Sequence, residues 1–163
     1  ADETEMEPEN IDYLAQLLME NPDYQMATLA TDFQNKKQIA NPDIVKVIIS
    51  PIGDTDNKMG RAIYFSRAAI PYNREKAGIG EMQQYLRHIG IYAYRRQFLL
   101  KIASLPQSTL EKIEKLEQLR AIENGYPILV GKVKHIGQPI DTPQQYAQFV
   151  NRYLKKQQVN SKI

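Results

Sequence analysis

The residues with the clearest chemical potential lie in positions 86–94, Leu-Arg-His-Ile-Gly-Ile-Tyr-Ala-Tyr. Strand side chains alternate between faces, so His88, Gly90, Tyr92 and Tyr94 share one side and Ile89, Ile91 and Ala93 the other. One face then carries an imidazole, a gap and phenols in a row, a set suited to hydrogen-bonding a polar ligand. A solvated or internally satisfied polar face shows the same alternation, so the row alone does not fix a site.

A second candidate group lies further along. Leu110, Ile113, Leu116, Leu119 and Ile122 recur at intervals of three, which predicts one helix from a cap at Ser108 to a stop at Asn124-Gly125. At roughly 100° per residue, Glu117 and Arg120 fall on the inward side of that helix, while Gln118 points elsewhere. A buried charge is costly unless paired or used. An internal Glu117–Arg120 pair at (i, i+3) accounts for both residues as well as a ligand does. If a site exists, His88 and Tyr92 should project into one cavity that Glu117 reaches from the helix.

Asp2 and Asp141 stand in separate loops, and two such carboxylates are the usual protein share of a Mg²⁺ site. Either alone is equally a turn or cap residue. Arg67 and Arg74 flank Ile70-Pro71-Tyr72, and guanidinium forks suit carboxylates or phosphates. Lys46 and His135 have no constellation around them and read as structural or solvent-facing. Gly78-Ile79-Gly80 is too short for a phosphate-cradling loop and lies outside a strand-to-helix turn.

The elements that must carry these residues alternate. Pro8 opens a helix through Ile11, Leu14, Leu17 and Leu18 that stops at Asn21-Pro22. Strands are predicted at 26–30 and 44–49, and 62–65 should pair back across the turn 53–57 as a hairpin. Residues 73–84 lack periodicity and predict a mobile loop. A strand at 86–94, helices at 95–105 and from Ser108, and a strand at 128–133 follow. Thr142 and Pro143 open a last helix with an apolar stripe of Tyr146, Phe149, Val150, Tyr153 and Leu154. The expectation is a domain over 1–154 and a polar tail over 155–163. Its fold class is α/β, with a mixed, mostly parallel sheet flanked by helices.

Composition narrows the classes. The chain has 163 residues, 42% hydrophobic and 25% charged, and a formal charge of +2, ordinary for a globular domain. It has no Cys, which excludes disulfides, thiolate metal sites and Cys nucleophiles and suits a cytoplasmic protein. No apolar run is long enough to insert in a membrane. The basic residues are not gathered into one stripe, so nucleic acid is not an expected partner. The acidic opening Ala1-Asp2-Glu3-Thr4-Glu5, without an initiator Met, reads as a cut chain.

Four segments together resemble the 3-deoxy-manno-octulosonate (Kdo) cytidylyltransferase family. They are Ile63-Tyr64-Phe65-Ser66-Arg67 with Ile70-Pro71, the run 86–95, the run 110–120 with Leu116-Glu117-Gln118-Leu119-Arg120, and Ile140-Asp141-Thr142-Pro143. Order and spacing match as well. The resemblance implies a Rossmann-like nucleotidyltransferase domain, usually a homodimer, that joins Kdo to CTP to give CMP-Kdo and pyrophosphate for lipopolysaccharide biosynthesis. It implies Asp2 and Asp141 as the Mg²⁺ carboxylates. It also implies Arg67, Arg74, His88, Tyr92, Glu117 and Gln118 as the sugar pocket.

Three departures stand beside it. The family's Gly-Asp-Glu-Pro is Ala1-Asp2-Glu3-Thr4 here, the approach to Asp141 is the stiffer Gly137-Gln138-Pro139, and the basic, glycine-containing segment that grips the triphosphate is missing. The expectation is therefore an N-terminally truncated fragment without turnover of its own. A cytidylyltransferase for a related acidic sugar, or a catalytically dead sugar-binding or dimerisation module, stays open.

Overall fold

The computed structural model describes residues 6–53, 58–134, and positions 146, 147, 150, 151 and 154 of a C-terminal helix. Helix α1 (Pro8–Glu20) starts with Pro at its first turn, where the missing N–H costs no hydrogen bond. Strand β1 (Met26–Asp32) follows, then the short α2 (Lys36–Ile39) and the hairpin of β2 (Lys46–Pro51) and β3 (Met59–Ser66). A one-turn 3₁₀ segment (Met82–Gln84) precedes β4 (Leu86–Tyr94). Helices α3 (Arg96–Ser104), α4 (Thr109–Glu114) and α5 (Leu119–Glu123) and strand β5 (Ile128–Lys132) complete the described elements.

The strands join in the order β1-β4-β2-β3-β5, and β5 pairs back to β1. The mixed α/β class expected from the sequence is present as one five-stranded sheet flanked by helices. The balance of pairings is the reverse of the expected parallel majority. Only β1–β5 runs parallel among the described residues; β1–β4, β2–β3, β2–β4 and β3–β5 run antiparallel. The expected hairpin is among these: β2 and β3, consecutive in the chain, pair antiparallel.

Each sheet face has its own core. Leu14, Leu17 and Leu18 of α1 pack on Ala27, Leu29, Ile89 and Leu129. Gly131 allows that approach, because a Cβ there would lie 2.7 Å from Leu17 and 2.8 Å from Tyr13. On the opposite face Met26, Ala30, Phe65, Ile128 and Val130 meet Phe98, Ile102, Leu116 and Leu119 from α3–α5. Full burial of side chains this size is worth about 1.5–3 kcal/mol each, so both helix layers are held mainly by their apolar faces. Among the described residues no helix is long and apolar enough to cross a membrane.

Two expectations fail in detail. The segment 73–84 is laced rather than loose. Asn73 and Gly78 exchange backbone hydrogen bonds of 2.7 and 3.0 Å, and the Tyr85 hydroxyl accepts from Gly80 N–H at 2.9 Å and donates to the Pro71 carbonyl at 2.8 Å. Buried Phe33, Ile39 and Tyr85 form a small core beneath it. The single helix expected from Ser108 is two. The Ser108/Glu111 capping box forms as expected, but Lys115 adopts a left-handed conformation (φ 56°) that ends α4 after six residues. The chain restarts as α5 with Gln118 at its N-cap.

Candidate functional site

The row on β4 exists. His88, Tyr92 and Tyr94 share the face turned to α3–α5, with ring centroids 5.5 Å apart for the first pair and 5.9 Å for the second. Their register on β1 breaks between Thr28 and Leu29: Thr28 pairs with Tyr92 but Leu29 with Ile89, so β4 carries two extra residues there. An insertion of two leaves side-chain alternation intact, which is why His88 and Tyr92 keep one face across the bulge.

Thr28 fills that bulge. Its hydroxyl lies 2.7 Å from the Ile91 carbonyl, 3.1 Å from the Ile89 carbonyl and 2.9 Å from His88 Nε2. A hydroxyl has one proton to give. With that proton on a carbonyl, the oxygen accepts from His88, which assigns the Nε2–H tautomer and leaves Nδ1 as an acceptor. The ring is buried edge-on against Phe65, with centroids 4.9 Å apart. Burial, and secondarily the neighbouring Arg87 charge, bring its pKa down to about 3. His88 is thus a neutral hydrogen-bonding group near pH 7, not an acid–base catalyst.

The phenols are also kept neutral. Burial is the main cause for both. It pushes Tyr92 far above its ordinary value, with Tyr94 and Glu117 adding to the effect. It raises Tyr94 to about 12, with Glu117 adding and Arg120 opposing. The charge of Glu117 therefore reaches the row.

Its placement differs from the helical-wheel expectation. Because α4 ends at Lys115, Glu117 turns outward with its side chain 80% exposed, 3.8 Å from Arg120. Gln118 takes the inward place, 5% exposed, and its amide nitrogen has no partner among the described residues. Arg120 is engaged elsewhere: Nε and Nη2 donate to the two oxygens of buried Glu111 at 2.8 and 2.5 Å, and Nη1 to the Ile102 carbonyl at 3.2 Å. Thus neither a closed Glu117–Arg120 pair nor an inward Glu117 describes the turn. An open pocket of about 360 Å³ lies beside it, lined by Lys112, Lys115, Glu117 and Arg120 among others, but not by His88 or Tyr92. The expected single shared cavity is not formed there.

Arg67, at the end of β3, donates from Nε to the Glu114 carbonyl at 2.8 Å and from Nη1 to the Pro42 carbonyl at 3.0 Å. Arg74 is exposed in the laced loop. Asp2, Asp141 and His135 lie outside the described residues, as do the turn 54–57, the cap at Thr142 and the tail 155–163. Among the described residues no group of three or more His, Asp or Glu could hold a metal ion.

Three contributors escaped the sequence reading: Thr28, Glu114 and Lys46. Of the two readings left open for Lys46, structural and solvent-facing, the structural one holds, since it is fully buried. As the lone charge in the β-branched run 44–49 it signalled a paired group; nothing in the sequence marked Thr28 or Glu114.

A family model described as a cytidylyltransferase matches residues 1–136. The chain belongs to the cytidylyltransferase family. It is 43% identical over 157 residues to a 3-deoxy-manno-octulosonate cytidylyltransferase of Rhodopirellula baltica, covering 93% of this chain and 59% of that protein. Against the enzyme of the same name from Neisseria gonorrhoeae it is 47% identical over 138 residues, covering 82% of this chain and 51% of that protein. The structure of CMP:2-keto-3-deoxy-manno-octonic acid synthetase complexed with CTP superposes with a TM-score of 0.77 at 36% identity, covering 96% of this chain and 59% of that one. The family member described here thus spans little more than half the length of these relatives.

Proposed function

We propose that this segment is the acidic-sugar side of an enzyme that transfers the cytidylyl group of CTP to Kdo. The Kdo anomeric oxygen bonds to the α-phosphorus, the bond to pyrophosphate breaks, and the hydroxyl proton is lost, giving CMP-Kdo for lipopolysaccharide synthesis. The observation that carries this is the β4 row of neutral His88, Tyr92 and Tyr94; the buried Gln118 amide nitrogen of the α4–α5 turn also has no partner among the described residues. Neutral donors and acceptors suit many sugar hydroxyls, and an unmet buried donor is costly unless a ligand meets it. Arg67 and Arg74 are assigned to the Kdo carboxylate and Glu117 to hydroxyls at the rim.

Asp2 and Asp141 are assigned to Mg²⁺, which when bound neutralises phosphate charge. The same reading carries a cytoplasmic homodimer. Exposed apolar Leu100 and Ile113 suit a partner surface.

The test is pyrophosphate release from CTP with Kdo and with related acidic sugars, using the product of the complete reading frame that contains this chain. Release with Kdo is expected. No release with any acidic sugar overturns the proposal.

A further inference from the structure

Arg67 is held from both sides by groups of opposite charge. Its backbone N–H donates to Glu114 Oε2 at 3.0 Å, and its carbonyl accepts from Lys46 Nζ at 2.5 Å. Its guanidinium is steadied on its near edge by the Glu114 and Pro42 carbonyls. A guanidinium has five N–H donors, and among the described residues Nη2 makes no hydrogen bond, which leaves that end for a ligand.

Both holders are themselves fixed. Lys46 spends its other N–H groups on the carbonyls of Asn41 at 2.9 Å and Ile44 at 2.6 Å, so this fully buried ammonium is a three-point tie. Burial first, opposed by Glu114 and Asp43 and assisted by Arg67, lowers its pKa to about 8. The second oxygen of Glu114 accepts from the Ser66 hydroxyl at 2.6 Å. Glu114 is also the last residue of α4, immediately before the Lys115 break that presents Glu117 and Gln118.

We propose that Glu114 and Lys46 are positioning residues for the arginine that takes the sugar acid's carboxylate. Together they set the aim of Arg67, and Glu114 couples that aim to the turn bearing Glu117 and Gln118. This rests on the assignment of Arg67 to the Kdo carboxylate made above. Two opposite charges from two elements, β2 and α4, clamp the two peptide units that flank the Arg67 Cα, where a single hydrogen bond would allow the strand end to swing. Misplacing a binding group by about 1 Å can cost on the order of a hundredfold in rate.

The experiment measures kcat and KM for Kdo and for CTP in the product of the complete reading frame, for Arg67→Lys, Glu114→Gln, Lys46→Met and the double variant of the first two. Each single variant is expected to raise the KM for Kdo about tenfold while leaving the KM for CTP within about twofold. The double variant should be no worse than Arg67→Lys alone, because both act through one contact. If Arg67→Lys raises the KM for Kdo but Glu114→Gln does not, or if the two effects multiply, the positioning role is overturned and the pocket assignment stands. If Arg67→Lys leaves the KM for Kdo unchanged, the pocket assignment of Arg67 fails and the positioning role with it. Should Glu114→Gln not fold, Ser66→Ala loosens the same carboxylate without removing its charge. A rise of about threefold in the KM for Kdo is then expected, and no change overturns the proposal.

Discussion

The Thr28 hydroxyl and the His88 imidazole meet 2.9 Å apart across the β1–β4 bulge, both buried. Thr28→Val keeps the shape but leaves the ring nitrogen and the carbonyl that takes the hydroxyl proton without their partner. It should cost about 1–3 kcal/mol in urea unfolding, whereas Thr28→Ser, which keeps the hydroxyl, should cost about 0.8 kcal/mol for the lost methyl. Equal losses for Val and Ser would show that the hydroxyl contributes packing only.

Neutral His88 gives stability a definite pH dependence. Its pKa falls from 6.5 to about 3 on folding, so between those values the unfolded chain binds the proton and the native state does not. The contribution is present above pH 6.5 and is lost as pH falls toward 3. Relative to His88→Gln, the wild type should lose about 1.4 kcal/mol per pH unit across that window. Parallel stability curves for the two proteins would contradict the buried neutral imidazole.

Glu111 and Arg120 form the buried ion pair under the α4–α5 turn, with Arg120 holding the Glu111 carboxyl below the usual range. Arg120→Met leaves that carboxylate uncompensated and should cost about 3–5 kcal/mol. Glu117→Gln removes only an exposed contact at 3.8 Å and should stay within about 0.5 kcal/mol. The two unfolding midpoints, measured side by side, decide it; a large loss for Glu117→Gln would place that side chain in the core.

Much of this was legible in the sequence because local rules set it. Alternation in 86–94 gave the His88–Tyr92–Tyr94 face, Pro8 and Asn21 bounded α1, and the Ser108/Glu111 capping box formed as read. What was hidden depends on tertiary context. Leu110 to Ile122 has good helical propensity throughout, and no Gly or Pro marks the break at Lys115. The break exchanges Glu117 and Gln118 between outside and inside, reversing the wheel. The β1–β4 bulge rests on Thr28 contacts 60 to 63 residues away, while the lacing of 73–84 by Tyr85 and the burial of Lys46 depend on loop conformations that side-chain periodicity does not report. The antiparallel β2–β3 hairpin was legible from its turn residues, but the directions of β1–β4, β2–β4 and β3–β5 were hidden, since crossover geometry is not reported by residue patterns within a strand.

The 163-residue chain taken alone should release no pyrophosphate from CTP and Kdo, because it spans only 59% of the length of the Rhodopirellula relative. Assay beside the product of the complete reading frame checks this. Robust turnover by the chain alone would mean that residues within it hold the nucleotide.

The central claim is that the β4 face serves the sugar rather than the nucleotide, and Tyr92→Phe tests it most directly. The substitution removes one hydroxyl and keeps the ring that packs between His88 and Tyr94. In the product of the complete reading frame, the KM for Kdo should rise by an amount equivalent to about 1–3 kcal/mol, roughly 5- to 150-fold, with the KM for CTP unchanged. A rise in the KM for CTP of the same size, or no change in either, would contradict the assignment of this face to the acidic sugar.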